Sequence, residues 1–87
     1  MPRTPNGEPT LYNRLAVLRA ERGLSRHGLA DALGINYQTV GYLERGEYNP
    51  SLGLAFGIAA YFDLPIEAIF SRTPFGPMST ELYPRSA

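Results

Sequence analysis

Apolar residues recur along this chain at spacings of three and four over most of its middle, which is the period of a helix with one face buried. Leu11, Leu15 and Leu18 begin the pattern, and Gly23 marks where it stops. Ser25 is placed to cap a second helix, with Leu29, Ala30 and Leu33 inward and Gly34 closing it. Asn36 is placed to cap a third helix, running to Gly46. The segment EYNPS is a loop, because a residue before proline is biased away from helix and Asn49 holds that position. Ser51 caps a fourth helix ending near Phe62, Asp63 and Pro65 interrupt, and IEAIF forms a short fifth. No stretch alternates as a strand would, so the pattern predicts an all-α fold of five short helices.

The flanks read differently. Residues 1–10 hold three prolines and a glycine, the signature of a flexible arm. Residues 71–87 hold three prolines and form a tail with no periodicity. The organisation is therefore an arm at 1–10, a helical domain at 11–70 and a tail at 71–87.

The third helix, INYQTVGYLERG from Ile35 to Gly46, is the unusual one. At about 100° per residue, Tyr37, Gly41, Arg45, Gln38 and Tyr42 share one arc, while Val40 and Leu43 fall opposite. The tyrosines, the glutamine and the glycine thus point outward. The residues before it follow a spacing of their own. With Arg26 as the first position, Ala30 is fifth, Gly34 ninth, Val40 fifteenth and Leu43 eighteenth. Two helices crossing closely need a small residue at the fifth, a residue tolerant of positive φ at the turn, and apolar anchors on the second helix. Each requirement is met.

These features are carried by LR-x-x-R-G-L-S, L-A-x-x-L-G, Q-T-V, L-E-x-G and N-P-S-L, which read in order along residues 18–52. Over about residues 13–70 the chain resembles the phage-repressor-like (Cro/Xre) helix-turn-helix family, and its small bacterial members in particular. The resemblance implies a lambda-repressor-like five-helix domain whose third helix enters the DNA major groove. By the same resemblance Tyr37, Gln38 and Tyr42 face base edges, and Ser25, Arg26, Thr39, Arg45 and Asn49 meet the sugar–phosphate backbone. A glutamine amide can pair with adenine N6 and N7, which makes Gln38 the strongest specificity candidate. Gly41 opens space for a closer approach, and His27 reads as an ordinary surface residue. Arg19 and Glu44 occupy the places of a structural salt bridge in this family.

Composition narrows the alternatives. There are no cysteines and one histidine, so neither a thiolate nor an all-histidine metal site is expected, and no cofactor is called for. No nucleophile–base pair or phosphate-cradling loop stands out, which argues against an enzyme. Every basic residue is arginine, and the net charge is zero. The first 45 residues carry six arginines against four acids, and the remainder two against four, so the positive excess lies with the third helix. The opening MPRTPNGEPT lacks a signal peptide's apolar run, and the longest apolar stretch, LGLAFGIAAYF, is too short to span a membrane. A cytoplasmic location follows, without a membrane partner.

That apolar stretch departs from the family, whose fourth helix usually carries charge on its outer face. Here Gly53, Phe56, Gly57 and Ala60 stand there, and no charge occurs from Tyr48 to Phe62. A helix uncharged all round is normally covered on both sides. The expected cover is a second copy of the chain, with the tail contributing: Phe56, Ala60, Phe75, Met78 and Leu82 are the candidate dimer residues. The functional expectation is a homodimeric transcriptional regulator, a repressor, reading a palindromic site in double-stranded DNA. The alternative is a protein-interaction module on the same fold, such as an antitoxin or a bridging factor. Nothing identifies a small-molecule inducer.

Overall fold

The computed structural model describes Gly7 and residues 9–75. In chain order these form β1 (Tyr12–Asn13), α1 (Leu15–Glu21), α2 (Arg26–Leu33), α3 (Tyr37–Glu44), α4 (Leu52–Phe62), α5 (Ile66–Ile69) and β2 (Phe70–Ser71). The five expected helices are present, and three of their starts are chemical caps. Ser25 Oγ accepts from the Gly28 amide, Asn36 Oδ1 from that of Gln38, and Ser51 Oγ from that of Leu54. Each cap satisfies an amide that has no partner within its own helix. Gly34 closes α2 in the left-handed region at φ 69°. Asp63 closes α4 at φ 56°, where a side chain is disfavoured and glycine is usual.

The core lies where all five helices converge. Leu15, Leu29, Val40, Leu43, Ile58 and Ile69 are its most deeply buried side chains. Ala55, Ala59 and Phe62 bring α4 against them, and Leu33 and Leu54 pack at the margin. Arg22 ties α1 to the end of α4, donating to the carbonyls of Tyr61 and Phe62 at 3.2 and 2.9 Å. Those carbonyls have no amide partner within α4, and a cation suits that helix end.

Two details differ from the helical pattern. The first helix starts at Leu15, not Leu11, because residues 12–13 are extended and pair antiparallel with 70–71, Tyr12 opposite Ser71 and Asn13 opposite Phe70. Asn13 enforces the break: its Oδ1 accepts from the Leu15 amide at 3.0 Å, and its Nδ2 donates to the Leu43 carbonyl at 2.7 Å. The side chain thus opens α1 and fastens it to the end of α3. The fifth helix correspondingly stops at Ile69, since Phe70 enters the strand pair. The fold is mostly helical, with this two-residue clasp added.

The described part of the tail is short. Phe75 lies half-buried, with the Arg14 guanidinium 4.0 Å above its ring centre. Met78 and Leu82 lie outside the described residues.

Candidate nucleic-acid interface

The interface is built on the α2–α3 unit. Ala30 is buried at the crossing of the two helices, and its carbonyl accepts from the Ile35 amide at 3.0 Å, which closes the turn. Gly34 takes the positive φ that lets the chain reverse there, and Asn36 starts α3 in its new direction. Val40 and Leu43 then pin α3 into the core. Once they are inside, helical geometry turns the other arc outward: Tyr37 is 44% and Tyr42 47% exposed, and Gln38 is exposed between them. Thr39 is half-buried at the edge.

Around this arc the structure assigns several side chains partners that the local pattern does not show. Glu44, on the last turn of α3, has a side chain only 3% exposed and is held by two arginines. Arg19 reaches it from α1 with Nε 2.7 Å from Oε2 and Nη2 3.3 Å from Oε1, and also donates from Nη1 to the Leu24 carbonyl at 3.0 Å. Arg26 reaches it from α2 with Nε 3.0 Å from Oε1. The hydrogen bond to Glu44 holds the Arg19 guanidinium above arginine's ordinary pKa, against the opposing effect of burial. A buried carboxylate shared by three helices fixes α3 relative to α1 and α2. Arg26, expected at the DNA backbone, is therefore also part of this internal network.

Gly41 sits in the outward arc, yet it is buried. What covers it is arginine: a Cβ at this position would lie 3.1 Å from Nη1 of Arg45 and 3.6 Å from Nη1 of Arg26. The two guanidinium groups, with Tyr37, Gln38 and Tyr42, line a shallow depression of about 120 Å³ on the outer face of α3. Arg45 also lies 5.3 Å from the centre of the Tyr42 ring and pairs with Glu47, Nη2 to Oε1, at 3.2 Å. That hydrogen bond to Glu47 raises the Arg45 pKa.

The remaining candidates divide. Ser25 is exposed at the start of α2, its hydroxyl already capping that helix. Asn49 is engaged within the chain at both ends of its amide, accepting from the Leu11 amide at 3.3 Å and donating to the Pro9 carbonyl at 2.9 Å. It works as a clamp on residues 9–11. His27, read as an ordinary surface residue, is exposed, and its ring also stacks on Tyr37, centroids 4.0 Å apart and planes 11° apart. The only local signal of that contact was its place in the first turn of α2, opposite the first residue of α3.

The family model described as Helix-turn-helix (HTH_3) matches residues 15–69, a span that holds all five helices. The chain belongs to this family. An HTH-type transcriptional regulator of Methanocaldococcus jannaschii is 47% identical over 60 residues, covering 69% of this chain and 91% of the relative. One from Bacillus subtilis is 40% identical over 60 residues, with the same coverage of 69% and 91%. Among solved structures, the restriction-modification controller protein C.AhdI of Aeromonas hydrophila superposes with a TM-score of 0.58 at 36% identity, covering 63% of this chain and 83% of that one. This HTH_3 protein is accordingly a DNA-binding transcriptional regulator of the Cro/Xre type and not an enzyme. Among the described residues no helix is long and apolar enough to cross a membrane.

Proposed function

We propose that this regulator is a cytoplasmic repressor that reads a palindromic operator as a homodimer, with α3 in the major groove of each half-site. The observation that carries the reading is the exposed arc of α3: Tyr37, Gln38 and Tyr42 stand outward on a helix whose opposite side is anchored by Val40 and Leu43. The Gln38 amide suits an adenine edge, and the tyrosine rings suit thymine methyls. Ser25, Arg26 and Thr39 border the arc where the phosphates of a docked duplex would run, and the N-terminus of α2 favours an anion there. Arg45 adds positive charge to the same face.

The dimer rests on α4. Leu52 is 71% and Phe56 58% exposed, and Gly53, Gly57 and Ala60 are exposed beside them, so this helix presents an uncharged apolar face to solvent. Phe75, proposed for the same interface, packs over Arg14, so within one chain the described tail does not cover that face. A second copy supplies a matching apolar surface by two-fold symmetry. Pairing also answers the neutral net charge, because two copies double the number of phosphates engaged. A dimer occupying its operator excludes polymerase from an overlapping promoter, and repression follows.

Selection of the purified protein against random double-stranded DNA tests this. The expected product is an inverted repeat with half-sites about 34 Å apart, one helical turn. Tyr37→Ala combined with Gln38→Ala should abolish enrichment while the protein stays folded. A folded wild-type sample that enriches nothing, or only single half-sites, would refute the reading and turn attention to α4 as a surface for a different protein.

A further inference from the structure

We infer that Arg45, seated over Gly41, is a base-reading residue for guanine. The inference rests on the reading that α3 occupies the major groove. Arg45 follows α3 as its C-cap residue, and its side chain folds back along the helix. Long side chains on a helix lean toward its N-terminus and cover the residue four positions earlier, which for Arg45 is Gly41. Because Gly41 has no Cβ, Nη1 of Arg45 settles 3.1 Å from where one would stand, directly over the helix face. The Tyr42 ring flanks the guanidinium at 5.3 Å. The group thus shares one depression with Tyr37, Gln38 and Tyr42, on the surface that meets the groove floor.

The chemistry over Gly41 selects the base that Arg45 would face. Nη1 of Arg26 adjoins the same space, so two guanidinium groups meet at Gly41 and offer donors only. Guanine is the base whose major-groove edge presents two acceptors, O6 and N7, and no donor. Opposite the arginines, adenine and cytosine each bring an amine that faces donors only, and thymine has one acceptor beside a methyl; an adenine is left to the Gln38 amide, which carries an acceptor of its own. The planar fork of Arg45 matches the O6/N7 pair with two parallel hydrogen bonds. In the absence of DNA the fork rests on Glu47, but both side chains of that pair are 46% exposed. Such a pair is weak, and approaching phosphates repel its carboxylate, so the guanidinium is released to the base.

The test uses the full-length chain and the operator selected by the wild-type protein. Selection is repeated with Arg45→Ala, Gly41→Ala and Gln38→Ala, each checked for folding by circular dichroism. Alanine favours a helix over glycine, so the Gly41 variant is not expected to unfold. One guanine per half-site should lose its preference in Arg45→Ala, with roughly a ten- to hundredfold loss of affinity for the native operator. Gly41→Ala moves the far end of Arg45 by only a few tenths of an ångström and should keep the guanine preference with a smaller loss of affinity. Replacing that guanine by 7-deazaguanine should weaken the wild type and leave Arg45→Ala unaffected. Gln38→Ala should relax a different position. A uniform weakening of Arg45→Ala on all sequences, with a salt slope smaller by about one, would make Arg45 a phosphate contact and overturn the inference. If Gln38→Ala relaxes no position, or the wild type selects no motif, the placement of α3 in the groove fails and this assignment fails with it.

Discussion

Removing Arg19 from the carboxylate it shares with Arg26 should destabilise the domain far more than removing Arg26. In Arg19→Met the apolar stem is preserved, but two hydrogen bonds to Glu44 and one to the Leu24 carbonyl are lost. Breaking a buried pair costs about 3–5 kcal/mol, and the retained bond from Arg26 keeps Glu44 from being stranded, so the lower end applies, about 3 kcal/mol. Arg26→Met removes a single bond to Glu44 from a side chain that is 40% exposed, against 20% for Arg19, and should cost about 1 kcal/mol. A domain of this size has a total stability on the order of 5 kcal/mol, so the first change removes more than half of it. At roughly 4–8 °C per kcal/mol, Tm should fall by about 12–24 °C in Arg19→Met. Urea denaturation followed by circular dichroism gives the free energies. The double variant Arg19→Met/Glu44→Gln should be little worse than the worse single, because the two share one interaction. The gap between wild type and Arg19→Met should also be flat from about pH 7 to 10. The Arg19 pKa is raised on folding, so its contribution is present below arginine's ordinary value and is lost only in strong alkali. A loss below about 1 kcal/mol in Arg19→Met, or a larger loss in Arg26→Met, would refute the view that this carboxylate is a structural joint.

Three other changes have expected outcomes. Asn13→Ala removes both the bond to the Leu43 carbonyl and the bond accepted from the Leu15 amide, and should lower stability by about 2 kcal/mol in the same urea titration. Asp63→Gly relieves a left-handed backbone at φ 56° and should raise Tm, the gain being up to about 1 kcal/mol; a fall would show that the aspartate side chain contributes more than its backbone strain removes. Phe56→Asp places a charge on the exposed face of α4, and light scattering should show a monomer whose own unfolding free energy is within about 0.5 kcal/mol of the undimerised wild type.

What could be read from the chain beforehand was whatever depends on neighbours in sequence. Ser25, Asn36 and Ser51 are legible as caps because a cap is a contact across two or three residues. Gly34, Val40 and Leu43 are legible because a tight helical corner restricts both backbone and packing at fixed offsets. Leu11 misled for the same reason: it fits the spacing of Leu15 and Leu18, but the partners that hold its neighbours extended, Phe70 and Ser71, lie near the other end of the domain. Strands of two residues have no room for alternation. Within the candidate interface, the outward arc of α3 followed from helical geometry. The grip of Arg26 on Glu44, the stack of His27 on Tyr37 and the arginines over Gly41 did not, since each requires knowing how α2 and α3 cross or how a long side chain folds back.

The pairing of β1 with β2 has a consequence for how this domain can be joined to others. Tyr12 and Ser71 are directly opposed, so the chain enters and leaves the helical body at one spot. A body with adjoining ends can be spliced into a surface loop of a host protein without prising the host apart, and its ends can be sealed while a new break is opened elsewhere. The clasp gives the domain the geometry of a plug-in cassette: fused through short spacers at either or both ends, it would keep the exposed arc of α3 uncovered whichever direction the added chain runs.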